Sequence, residues 1–148
     1  MSLKERIFED LKKAMKEKDE IKKRTLRMVV AAIKNMQVDK KELTDEDVIE
    51  ILNKEAKNRK DSFEQYKKAD RDDLAQGEKE ELAVIESYLP EKLTEDELRK
   101  IILEVIKEQN VNSPEGLGVV MKSLMPKIKG RADGKKVSKL AREILSDL

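Results

Sequence analysis

Hydrophobic side chains recur along this chain every three or four residues, the period of an amphipathic helix, and nowhere with the alternation of a half-buried strand. Leu3, Ile7, Leu11 and Met15 form the first such stripe and predict a helix from Leu3 to Lys18 capped by Ser2. A second helix capped by Asp19 turns Ile21, Leu26, Val29, Val30, Ile33 and Met36 inward. The period lapses among charges between Val38 and Leu43, so a turn is expected there. Thr44-Asp45-Glu46-Asp47 then opens a third helix, with acidic groups at the positive end of its dipole. Its inward face reads Val48, Ile51, Leu52, Ala56, Phe63 and Tyr66.

Asp70-Arg71-Asp72-Asp73 marks a break. A fourth helix follows from about Leu74 to Leu89, with Leu82, Ile85 and Leu89 buried and Gly77 costing about 1 kcal/mol relative to Ala. Pro90 should end it, since the residue before a proline avoids helical geometry. A second capping box, Thr94-Glu95-Asp96-Glu97, starts a fifth helix that buries Leu98, Ile101, Ile102, Val105 and Ile106. Ser113-Pro114 starts a sixth, with Leu117, Val120, Met121 and Leu124 on its apolar face and Pro126 expected to stop or kink it. Asp133 caps the last helix, whose apolar face is Val137, Leu140, Ala141, Ile144 and Leu148. The pattern predicts an all-α fold of about seven helices. Residues 1–92 would form an N-terminal helical subdomain and residues 93–148 a small three-helix tail-like bundle.

Composition narrows the chemistry. Cysteine and histidine are both absent, which removes disulfides, thiol nucleophiles, thiolate metal sites and imidazole bases. Paired carboxylates abound, but on charged helical faces nothing raises their pKa. Ser62, Ser87 and Ser123 have no histidine to activate them. No catalytic residue, metal site or cofactor is expected. The longest apolar run, Met28 to Ile33, is about a third of a membrane span, so no membrane association is expected. Met1-Ser2-Leu3-Lys4-Glu5-Arg6 leads into an amphipathic pattern without a signal-peptide core, and cytoplasm is the expected location.

The net charge of +1 conceals two blocks of opposite sign. Residues 70–97 carry eleven acidic and three basic side chains, whereas residues 116–142 carry eight basic and one acidic. In the second block Lys135, Lys139 and Arg142 fall within about 60° of one another on a helix, opposite Val137, Leu140, Ala141 and Ile144. Lys122, Lys127, Lys129, Arg131 and Lys136 extend the cationic run. Such a patch attracts polyanions, of which nucleic-acid phosphates are the usual ones. On charge alone a solvated helical face is the plainer reading. No Phe, Tyr or Trp follows Tyr88, so the basic half has no platform for stacking bases, and any nucleic acid would be read through its backbone and shape. The acidic block has the same plain reading; its sharper alternatives are docking of a basic protein or an intramolecular partner for the basic block.

Gly130-Arg131-Ala132-Asp133-Gly134-Lys135-Lys136 imitates a phosphate-binding loop. It has one residue too few between its glycines, lacks Ser or Thr after the lysine and follows no strand, which argues against nucleotide binding. The amides of Gly134, Lys135 and Lys136 offer an anion site at a helix start. Capping by the Asp133 carboxylate is the preferred use of that position.

Leu117-Gly118-Val119-Val120-Met121-Lys122, Leu124-Met125-Pro126-Lys127 and Gly130-Arg131-Ala132-Asp133-Gly134-Lys135 together resemble the tail-domain signature of the GatB/YqeY family. Arg24-Thr25-Leu26-Arg27-Met28, Ala31-Ala32-Ile33-Lys34-Asn35, Arg59-Lys60-Asp61-Ser62 and Tyr88-Leu89-Pro90 resemble stand-alone YqeY-like proteins. The likeness therefore covers nearly the whole chain, and Gly118, Pro126, Gly130, Asp133 and Gly134 are its structural positions in the tail. In the GatB subunit of the tRNA-dependent amidotransferase, a similar tail helps hold tRNA. The resemblance thus implies an RNA-facing role for Lys122, Lys127, Lys129, Arg131 and Lys135. The catalytic cradle that precedes the tail in GatB has no counterpart here. The expectation is a non-catalytic accessory protein that binds tRNA or another structured RNA. Two alternatives stand beside it: a protein-interaction module for an amidotransferase or aminoacyl-tRNA synthetase, docking through acidic residues 70–97, and a participant in glutamine-dependent amide transfer.

Overall fold

The computed structural model describes residues 1–148, which form seven α-helices and no strand. The chain divides into two compact units, Met1–Leu89 and Pro90–Leu148.

The first unit holds α1 (Leu3–Glu17), α2 (Glu20–Asp39), α3 (Asp45–Lys68) and α4 (Asp72–Glu86). Three of the four begin on a side-chain cap, which answers amide groups that the first helical turn leaves without partners. Ser2 accepts from the Glu5 amide at 3.2 Å, Asp19 from Lys22 at 3.1 Å and Thr44 from Asp47 at 3.2 Å. Asp47 returns a bond to the Thr44 amide and pairs with Lys40, both at 2.9 Å. The Lys40 contact, followed by the Thr44 amide, draws the Asp47 carboxyl down to a pKa of about 2. The core of this unit is Ile7, Leu26, Val29, Val30, Ile33, Val48, Ile51, Leu52, Ala56, Ile85 and Tyr88.

The second unit holds α5 (Glu95–Glu108), a single 3-10 turn (Pro114–Gly116), α6 (Leu117–Ile128) and α7 (Gly134–Ser146). Leu98, Ile102, Val105, Ile106, Val120, Leu124, Ile128, Val137, Leu140, Ala141, Ile144 and Leu145 close its core. Two glycines shape its connections. Gly130, two residues past the end of α6, takes φ = 80°, a conformation that side chains disfavour. A Cβ on Gly116 would lie 2.2 Å from Val111 Cγ1, so the 3-10 turn seats on Val111 only because that atom is missing.

Several expectations are corrected. Met15 is exposed and Ala14 takes the inward place on α1. Leu148 is 62% exposed because α7 ends at Ser146. Helical periodicity no longer governs it, and Leu145 fills the core instead. The fourth helix starts two residues before Leu74, at Asp72, and stops at Glu86. Leu89 follows in tight turns, half-buried rather than buried, where the Tyr88 amide donates to Ile85 and that of Leu89 to Glu86. Pro126 neither stops nor breaks α6, which continues to Ile128. Proline there removes one amide near the helix end, where the ladder is about to finish.

Candidate nucleic-acid interface

The basic segment is displayed by the last two helices of the second unit. α7 exists because Asp133 caps it, accepting from the Lys135 amide at 3.1 Å, and because its apolar positions all lie on one side. With Val137, Leu140, Ala141, Ile144 and Leu145 buried, the 100° step per residue leaves Lys135, Lys139 and Arg142 together on the outer face. All three are exposed and none has an ion-pair partner. Lys136 is also exposed, about 100° round the helix from Lys135.

The cations of α6 and the following turn divide by use. Lys122 and Lys129 are exposed and unpaired. Lys127 pairs with Glu108 of α5 at 3.2 Å. Arg131 is half-buried and holds the entry of its own unit: its Nε donates to the Glu91 carbonyl at 3.4 Å, and its carbonyl accepts from the Leu93 amide at 2.9 Å. Lys122 and Lys127 stand five residues apart, about 140° around α6, so they do not share a face.

The glycines of the tail motif also separate. Gly130 is required by its φ, whereas a Cβ at Gly134 would make only ordinary contact with Met125, 3.7 Å away. At Gly118 a Cβ would meet nothing within 4 Å. That glycine leaves bare backbone one turn before Lys122 on the same face of α6, at a cost of about 0.5–1 kcal/mol relative to Ala.

The acidic stretch is distributed over α4 and the start of α5. Asp72 pairs with Lys67 at 3.1 Å, Asp73 with Arg71 at 3.3 Å and Glu95 with Arg99 at 3.4 Å. Glu97 completes the capping box with Thr94. Glu81 is buried.

A second polar cluster lies in the first unit, where the sequence pattern of Arg24, Arg27, Lys57, Arg59 and Lys60 beside Glu55 and Asp61 reads only as helix-surface salt bridging. Arg59 is only 5% exposed and reaches Glu55 at 2.6 Å through Nη1. Its Nη2 meets the Met28 sulfur at 3.4 Å, and its Nε has no partner. An unanswered buried donor costs about 1–3 kcal/mol. Arg24 of α2 donates through Nε to buried Glu81 at 3.4 Å. Burial raises the pKa of neighbouring Glu78, the charge of Glu81 adds to the effect, and Arg59 and Arg24 oppose it. Below these, Tyr88 donates its hydroxyl to Asp10 at 2.5 Å with the Arg6 guanidinium 4.9 Å over its ring. Burial first, and the Asp10 bond second, push the Tyr88 hydroxyl well above its ordinary pKa. Arg59 had a signal in the sequence: it continues the inward stripe Val48, Leu52, Ala56. Its pairing with Glu55 at i and i+4 looks like a surface salt bridge until α2 and α4 are placed around it.

An all-helical chain in two units, with a cationic final helix, is thus the class that fold and surface define. The Yqey-like protein family profile matches residues 4–145, and the chain belongs to that family. Among relatives, the mitochondrial protein named altered inheritance of mitochondria protein 41 in Pyrenophora tritici-repentis is 34% identical over 147 residues, covering 95% of this chain and 79% of the relative. Its namesake in Clavispora lusitaniae is 35% identical over 112 residues, covering 72% and 66%. That of Vanderwaltozyma polyspora is 40% identical over 85 residues, covering 56% of this chain and 46% of the relative. The chain therefore spans about half the length of some of the relatives it matches. The expected cytoplasmic location is corrected by this comparison, since these relatives are named as mitochondrial proteins. No helix is long and apolar enough to cross a membrane.

Proposed function

We propose that this YqeY-like protein is a non-catalytic accessory that binds tRNA or another structured RNA through its C-terminal unit. The observation that carries the reading is the outer face of α7, where Lys135, Lys139 and Arg142 stand exposed without a carboxylate partner. Unpaired cations on a rigid helix lose no internal contacts when they neutralise phosphates. Lys122, Lys129 and Lys136 widen the contact, and the bare backbone at Gly118 lets a phosphate–sugar chain approach α6 closely. Lys127 and Arg131, already engaged by Glu108 and Glu91, contribute less.

The contact is electrostatic and reads shape, because the unit has no aromatic side chain to stack on a base. Affinity should therefore fall steeply with salt, by close to one unit of logarithmic slope per phosphate neutralised. A filter-binding titration with unfractionated tRNA at low salt tests this. Saturable retention is expected, and replacing Lys135, Lys139 and Arg142 together by Ala should weaken it roughly tenfold or more and flatten the salt slope by about two to three. Absence of retention at low salt, or an unchanged slope in the triple variant, would overturn the reading. Protein docking through residues 70–97 has less support, because several of those carboxylates are already held by neighbouring cations or caps. Participation in amide transfer would need catalytic groups from another chain.

A further inference from the structure

The outward face of α2 is a second surface, in the other unit. Arg24, Arg27, Met28, Ala31, Lys34, Asn35 and Val38 are all exposed and fall within an arc of about 120°. From Arg24 to Val38 this arc bears no carboxylate of its own. On the packed helices, Glu55 is tied to Arg59 and Glu81 to Arg24, and Glu78 lies near both arginines. Arg27 is left with only the Met15 sulfur at 3.9 Å, and Lys34 has no ion pair. Two apolar side chains stand among these cations without cover: Met28, 51% exposed, and Val38, 81% exposed. Ala31, between them, is small enough to let another helix come close.

Beneath Met28 lies a group that is incomplete within this chain. Glu55 satisfies one corner of the Arg59 guanidinium, but the opposite edge, Nε with Nη2, meets only a thioether. A thioether is a weak acceptor. That edge is the fork that grips a carboxylate with two parallel bonds, and its one polar contact is the sulfur of the flexible, half-exposed Met28.

We infer that the α2 face docks an acidic amphipathic helix of a partner protein, one of whose carboxylates displaces the Met28 sulfur and takes the open edge of Arg59. Further carboxylates of the partner meet Arg27 and Lys34, which are separated by two turns, about 10.5 Å. Apolar side chains between them cover Met28, Ala31 and Val38, in the manner of helix-on-helix recognition. A nucleic-acid backbone suits this face less well, because it would leave the exposed apolar positions unpaired with anything apolar.

The test uses the isotopically labelled full chain and a designed peptide helix with a Leu/Ala stripe flanked by Glu. A twin peptide carrying Gln for every Glu, and a short RNA hairpin, serve as the other probes. The Glu peptide should shift the amide signals of residues 24–38 and the Nε–H signal of Arg59, and bind at least tenfold tighter than the Gln twin. The double substitution Arg27→Glu with Lys34→Glu, at exposed positions that leave the core intact, should weaken the Glu peptide at least tenfold and leave tRNA retention unchanged. The inference fails if the Glu peptide leaves the α2 and Arg59 signals still, if the Gln twin binds as well, or if the hairpin moves those signals at lower concentration than the peptide. The two peptide failures leave the α7 reading untouched, whereas tight hairpin binding at α2 would also count against α7 as the main RNA surface.

Discussion

The two units of this chain place their charge in opposite ways. The first buries Thr25, Arg59 and Glu81 and ties Tyr88 to Asp10 inside a four-helix unit, whereas every buried side chain of the second is apolar. Lysine and arginine are plentiful in both, so composition does not separate them. What separates them is whether carboxylates are drawn inward, from the same helix or the next, to meet the cations. In the first unit Glu55 and Glu81 do so, and the arginines become part of the scaffold. On α7 Lys135, Lys139 and Arg142 make no ion pair, even though Glu143 stands one turn from Lys139, and those charges remain available to a ligand. A free surface cation contributes little to stability and much to recognition, whereas a buried pair is costly to break by removing one partner.

Substitutions can break or sharpen this contrast. The largest effect is expected for Arg59→Ala, which leaves the half-buried Glu55 carboxylate without its cation and removes the packing of a buried side chain, and should cost about 3 kcal/mol or more in urea unfolding. Leu124→Ala, in the wholly apolar core, should cost about 3 kcal/mol through lost burial and a residual cavity. If the arginine substitution proved the milder of the two by a wide margin, the ionic cluster would be ornament rather than scaffold. Tyr88→Phe should cost about 1–2 kcal/mol by leaving Asp10 without its donor. Thermal unfolding of that variant checks it.

A smaller effect depends on acid. The folded state lowers the Asp47 pKa from 3.8 to about 2, so its contribution is present above the unfolded value and lost as pH falls from near 4 toward 2. Urea midpoints at pH 5 and pH 2.5 should converge more in Asp47→Asn than in the parent chain. The smallest effect is expected where function is proposed: replacing Lys135, Lys139 and Arg142 by Ala should alter stability by less than about 0.5 kcal/mol per site. A large loss of melting temperature in that variant would mean that the face is structural.

Local signals carried most of the fold. Ser2, Asp19, Thr44, Thr94 and Asp133 each stand just before an amphipathic run, and each caps the helix it precedes. Where the reading failed, the deciding contact came from another helix or the helix had ended. Ile128 lies past Pro126, where the helix was expected to stop, and it is buried because α6 runs on. Gly116 gave no hint, since the atom that excludes its Cβ belongs to Val111, across the connection before the 3-10 turn. The cations of the candidate surface were legible as a charge run and a helical angle. Their division into engaged and free was not, because Glu108 meets Lys127 from 19 residues away and Glu91 meets Arg131 from 40.

The Asp133 cap has one more consequence. Its carboxylate is tethered two residues from the amide it occupies, and a tethered group acts at an effective concentration of millimolar or more, beyond that of most dissolved anions. The start of α7 thus carries its own competitor. With the Lys135 amide occupied by Asp133, an anion arriving at this terminus would meet chiefly the lysine and arginine side chains. If the proposed RNA contact holds, binding through such side chains would favour rapid exchange and sliding over a fixed seat.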